Sequence, residues 1–168
     1  DTRISIFAVD DGLRRYHVVE SSSRELLEEY AFHALRIIRD MQNGEEPMIN
    51  MLSYYRNKWQ LILFPRAKHR PWQYFEEGER NILLSPASVD LGGTLITPLE
   101  KDFEKISRAD IQDIFKQISF STLDFKQLKK HMESELKSSF GQTHPEKQVP
   151  RIEVGILSGK RIGFVLEG

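Results

Sequence analysis

The chain has 168 residues, 24 Lys and Arg against 25 Asp and Glu, and a hydrophobic share of 39%; that suits one ordinary core and gives no overall field to draw in a polyanion. With no cysteine, a disulfide framework, a thiolate zinc site and a cysteine nucleophile are excluded. Its apolar runs fall far short of the roughly 20 residues that span a bilayer, so no membrane span is expected, and any phosphate contact has to come from a local cluster of cations.

Residues 3–9 and 13–19 read as two strands joined at the turn Asp10-Asp11-Gly12. The period then changes. Ser22 and Glu25 have capping-box spacing, and Leu26, Leu27, Tyr30, Ala34, Ile37, Ile38 and Met41 fall on one side of a helix that Asn43-Gly44 ends. Residues 49–55 and 58–64 are rich in Ile, Leu, Tyr, Trp and Phe, and predict a second hairpin turning at Arg56-Asn57. The stretch 65–78 combines three Arg or Lys, one His, three aromatics and two Pro, which marks an irregular loop. Short strands are expected at 81–84 and 93–97, around a Ser-Pro…Asp-Leu-Gly-Gly connection. Three helices are expected next, at 99–106, at 109–118 with Ser107 as cap, and at 123–137 with Phe125, Leu128, Met132 and Leu136 on one face. Residues 138–150 read as a linker, and the alternating segments around Ser158-Gly159 as a last hairpin.

The strongest chemical signal is FPRAKHRP, residues 64–71, where a strand delivers Arg66, Lys68, His69 and Arg70 into a proline-bounded loop. Arg offers phosphate a bidentate fork, Lys a point charge and His a donor or proton carrier. The alternative is a solvated loop whose His and Arg pair with Glu76, Glu77 or Glu79. A second signal is residues 85–98: Gly92 and Gly93 permit close backbone approach, and Asp90 is placed to accept from a ribose hydroxyl or orient a cation. Equally, a glycine pair marks a turn and the aspartate caps it. Asn50 is a polar residue in an apolar run, and its amide either reaches a ligand or sits at a strand edge. His17 and His33 lack a second ligand at metal spacing and read as structural, and the helix with Lys126, Lys129, Lys130 and His131 as a solvated face. Neither a metal nor a nucleic-acid partner is suggested. The sequence has no G-x-x-x-x-G-K-[ST] loop, no G-x-S-x-G elbow and no H-x-H-x-H or H-x-H-x-Q run.

The segment MINMLSYYRNKWQLILFPRAKH resembles the C-terminal half of diadenosine tetraphosphate phosphorylases and GDP-L-galactose phosphorylase-like proteins, with Asn50, Trp59, Pro65 and Arg66 carrying the match. FPRAKHRP followed by SPASVDLGGTLITPLEKDFEKI looks like a bacterial family of the same histidine-triad-like superfamily, over residues 1–137. The resemblance implies an α+β domain with an antiparallel sheet and flanking helices, half of a histidine-triad-like or galactose-1-phosphate uridylyltransferase-like fold. In that superfamily a histidine of an H-x-H-x-Q-type motif attacks phosphorus. This chain lacks the motif, which in the relatives precedes the segment resembling residues 1–20, so it either lies upstream or has been lost.

What carries over is a supporting set for phosphate or nucleotide binding: Asn50, Arg66, Lys68, His69, Arg70, Asp90, Gly92 and Gly93. The chain is thus expected to be a piece of a larger protein, inactive alone, needing no cofactor, with a nucleotide or nucleotide sugar as ligand. The end of the sequence, residues 151–168, resembles the opening strands of a SpoIID/LytB amidase-enhancer domain, carried by Val154, Gly155, Ile156, Ile162, Phe164 and Leu166. That resemblance implies the rival reading, a non-catalytic module of a cell-wall protein in peptidoglycan remodelling or sporulation. The first reading goes with the cytoplasm and the second with the cell envelope. A third possibility is a homodimer that pairs exposed sheet edges.

Overall fold

Apolar residues two apart put one row of side chains on each face of a strand, and both sheet hairpins expected from the sequence form on that pattern. The computed structural model describes residues 4–44, 46–139, 156–157 and 161–162. Strand β1 (Ile4–Asp10) pairs antiparallel with β2 (Arg15–Ser21), and β3 (Ile49–Arg56) with β4 (Lys58–Pro65). The second turn places Arg56 opposite Lys58 across Asn57, whose φ of 61° is left-handed and is tolerated by asparagine better than by most residues. Pairing of β2 with β4 joins the hairpins into one antiparallel sheet of order β1-β2-β4-β3. Five helices accompany it: α1 (Arg24–Met41), α2 (Ser88–Gly92), α3 (Glu100–Lys105), α4 (Arg108–Ile118) and α5 (Thr122–Ser139). The α+β class read from the sequence is the one observed.

The cap of α1 is Ser23, one residue later than expected. Its hydroxyl accepts from the Leu26 amide at 3.2 Å and donates to Glu25 at 2.7 Å. The shift arises because β2 runs on to Ser21, whose hydroxyl accepts from the Ser23 amide at 3.1 Å and turns the chain before the helix begins. Leu27, Tyr30, Ala34 and Ile38 of α1 bury one sheet face with Val19, Leu61 and Leu63, and Phe125, Leu128 and Met132 of α5 close the same core. Glu135 ties the two helices, accepting from Arg36 at 2.9 Å and lying 2.6 Å from His33. The Leu136 side chain lies outside the described residues.

On the opposite face Tyr16, Phe64, Leu84 and Leu91 pack with Ile114, Phe115 and Ile118 of α4. Ser107 caps α4 as its position implies, in a box with Asp110. Here one expectation is corrected: residues 81–84 and 93–97 are not strands, and a short helix, α2, stands in the connection between them. Their backbone groups are satisfied one at a time instead of in a ladder. The Ile82 amide donates to the Gln73 carbonyl at 3.1 Å, the Leu83 amide to the Asp102 carboxylate at 2.8 Å, and the Ile96 amide to Asp90 at 2.8 Å. The last helix reaches Ser139, into the segment read as a linker. Beyond it β5 (Ile156–Leu157) pairs antiparallel with β6 (Arg161–Ile162), as the alternation there predicts. The rest of the linker and of the end resembling SpoIID/LytB lies outside the described residues.

His17, on the α1 and α5 side of β2, is fully buried with its ring centroid 4.7 Å from that of Phe125, and neither ring nitrogen meets a partner among the described residues. Burial, assisted by the positive charge of Lys129, pushes its pKa down to about 3. An unfolded chain protonates histidine near pH 6.5. The unfolded state therefore binds one more proton than the native state between about pH 3 and about pH 6.5. Stability from this residue is complete above that window and is lost as pH falls through it. Replacing His17 by Leu is expected to flatten the pH dependence of the unfolding free energy in that window by up to about 1.4 kcal/mol per pH unit. Urea denaturation at successive pH values measures this, and an unchanged slope would show that His17 does not bear the linkage.

Candidate functional site

Strand β4 ends at Pro65, and the next residue carries a guanidinium into the protein. Arg66 is only 7% exposed. Its Nε donates to the Lys68 carbonyl at 3.2 Å, Nη1 to the Asn50 amide oxygen at 2.7 Å and also to the Pro86 carbonyl, and Nη2 to the His69 carbonyl at 2.5 Å. A guanidinium has five N–H donors, so these bonds occupy Nε, Nη1 in full and half of Nη2. Burial lowers its pKa from the usual arginine range, and the Asp90 carboxylate opposes that shift. Two residues expected to hold phosphate, Asn50 and Arg66, thus hold each other, and through the Pro86 carbonyl they fasten β3 and β4 to the segment before α2.

The residues that follow are placed differently. The Ala67 amide donates to the Ile118 carbonyl at 2.8 Å, which seats the loop on the end of α4. Lys68, His69 and Arg70 then turn outward and are exposed. They line one open cleft of about 670 Å³ with Arg66, Phe75, Ser85, Pro86 and Ala87. The Arg70 guanidinium lies 4.1 Å from the Tyr74 ring centroid, a cation–π contact. Among the described residues none of the three exposed side chains pairs with a carboxylate. Glu76 pairs with Arg80 at 2.9 Å and Glu79 with Lys105, so two of the acids that a merely solvated loop would recruit are engaged elsewhere.

The other expected residues serve the scaffold. Asp90 is buried, and its carboxylate accepts from the Ala87 amide at 2.7 Å and the Ile96 amide at 2.8 Å; it caps α2 and pins the chain after it. Gly93 ends α2 at φ 122°, a value that favours glycine. At Gly92 a Cβ would stand 2.8 Å from Cδ1 of Leu52, so the missing side chain lets α2 lie close on β3. The turn reading of this segment is the one its contacts support.

Sequence reasoning missed the support beneath the loop. The 3₁₀ turn Trp72–Phe75 is bound to α4 by a side-chain network. The Trp72 amide donates to Gln117 at 2.9 Å, Gln73 donates to Asp113 at 2.7 Å, and Gln117 donates to Gln73 at 3.0 Å and to Asp113 at 2.9 Å. Asp113 and Gln117 are one helical turn apart, which was the available signal. Phe75 and Ser85, on the rim and wall of the cleft, gave no pattern of their own.

A family model described as GDPGP1-like, C-terminal domain, matches residues 7–139. No curated protein and no solved structure matches the chain.

Arg66→Ala leaves three carbonyls and the Asn50 amide without their donor, and a loss of about 2–4 kcal/mol in unfolding free energy is expected. Arg66→Lys should recover less than half of it, because an ammonium does not reproduce the fork. Lys68→Ala and His69→Ala, both exposed, should stay within about 0.5 kcal/mol of the parent. Chemical denaturation of the four variants checks the division, and similar losses at all three positions would overturn the distinction between clamp and rim.

Proposed function

Since the chain belongs to the family of GDPGP1-like C-terminal domains, a GDP-hexose phosphorylase family, we propose that its cleft at Lys68, His69 and Arg70 binds the phosphates of a nucleotide or nucleotide sugar. The observation that carries this reading is a cluster of exposed cations, fixed by a buried arginine, with no carboxylate paired to them among the described residues. Phosphate suits all three groups: Arg70 offers a planar fork, Lys68 a compact charge and His69 a ring N–H.

Arg66 contributes by position. Its bonds to the Lys68 and His69 carbonyls set the backbone from which those side chains rise, so much of the ordering cost is met on folding and not on binding. In phosphoryl or nucleotidyl transfer, fixed cations stabilise charge that builds on the phosphate oxygens. The 168 residues contain no H-x-H-x-Q run; a nucleophilic histidine of that kind either lies outside them or has been lost, and the chain alone binds without turnover.

Thermal and chemical denaturation with a panel of nucleotides and nucleotide sugars tests the reading. A ligand at a hundredfold excess over its Kd should add about 2.7 kcal/mol, the gain should shrink at high salt, and it should vanish in the Lys68→Ala/Arg70→Ala double variant. A panel without effect, or stabilisation that survives the double substitution, overturns it.

A further inference from the structure

The cleft also carries an aromatic ring that phosphate alone does not require. Phe75 is 69% exposed, and it lines the same cleft as Lys68, His69 and Arg70. A single exposed hydrophobe is ordinary on a protein surface. This one is set apart by its support. It closes the 3₁₀ turn bound to α4 through Asp113 and Gln117, and the Asn81 amide group donates to the Gln73 and Tyr74 carbonyls at 3.4 and 3.3 Å. Its ring meets Tyr74 edge to face, with centroids 5.4 Å apart and planes at 71°, while Arg70 covers Tyr74. Guanidinium, phenol and phenyl thus touch one after the next, and the two end members, Arg70 and Phe75, both line the cleft.

We propose that Phe75 is a stacking platform for the nucleobase of the ligand whose phosphates meet Lys68, His69 and Arg70; this rests on the phosphate-binding reading above. The juxtaposition selects among phosphorylated ligands. Sugar phosphates and inorganic polyphosphates satisfy the cations and leave the phenyl ring in water. A nucleoside diphosphate satisfies both, because its base has a π face that stacks on an aromatic ring. The cleft therefore discriminates by the presence of a base.

Isothermal titration of the full chain with GDP and with inorganic pyrophosphate, in the parent, Phe75→Ala and Phe75→Trp, tests the proposal. GDP is expected to bind the parent at least about tenfold more tightly than pyrophosphate. Phe75→Ala should remove that advantage while leaving pyrophosphate affinity unchanged, and Phe75→Trp should restore it. Tm is measured alongside, so that a folding defect in Phe75→Ala is told apart from a loss of stacking. A GDP-to-pyrophosphate ratio unaffected by Phe75→Ala overturns the stacking role and leaves phosphate binding intact. Equal loss of both ligands in Phe75→Ala also overturns it, because the ring would then be supporting the loop. No binding of either ligand to the parent overturns the phosphate reading and this proposal with it.

Discussion

Where β4 ends, four acceptors from separate parts of the chain converge on one guanidinium. The Asn50 amide belongs to the edge strand β3, the Lys68 and His69 carbonyls to the loop, and the Pro86 carbonyl to the approach to α2. Without Arg66 these groups would face a largely buried space with no donor, a costly arrangement in a low-dielectric setting. With it, the loop has one geometry. The same region is braced from below by the Ala67 amide on the Ile118 carbonyl and from the side by the Asp113 and Gln117 network. The side chains of Lys68, His69 and Arg70 lie outside these braces and face outward into the cleft.

That division sets the electrostatics. The chain is close to neutral overall, with 24 basic and 25 acidic residues, yet Lys68, His69 and Arg70 line the cleft together while four nearby acids are engaged elsewhere: Glu76 with Arg80, Glu79 with Lys105, Asp113 with amide and indole donors, and Asp90 with two backbone amides. Holding like charges near one another without counter-ions costs stability, and proteins accept such costs where an anionic ligand repays them. The residues that line the cleft all lie within the stretch, 7–139, that the family model matches.

The hairpins, the long helices and the cap of α4 were legible because local pattern and tertiary packing agree there. Ser107 caps α4 as its position suggests, and Phe125, Leu128 and Met132 turn inward together. Residues 81–84 and 93–97 are short apolar stretches that imitate strands, but the carboxylates of Asp102 and Asp90 take the Leu83 and Ile96 amides that a ladder would use. At the candidate site, residue type singled out the loop, and the structure sorts its members by exposure, with Arg66 buried and residues 68–70 exposed. Nothing in the sequence distinguishes the buried Arg66 from the exposed Arg70, since the difference is made by carbonyls at positions 69 and 86.

The pairing of α1 with α5 has a consequence for synthesis. The first hairpin and α1 leave the ribosome well before α5, but the apolar side they share is closed by Phe125, Leu128 and Met132, and the contact of Arg36 with Glu135 spans 99 positions. At about 5–20 residues per second, roughly 5–20 seconds pass between the emergence of the two partners. During that interval Leu27, Tyr30, Ala34 and Ile38 have only sheet strands to cover them, and this side of the core stays open until α5 arrives.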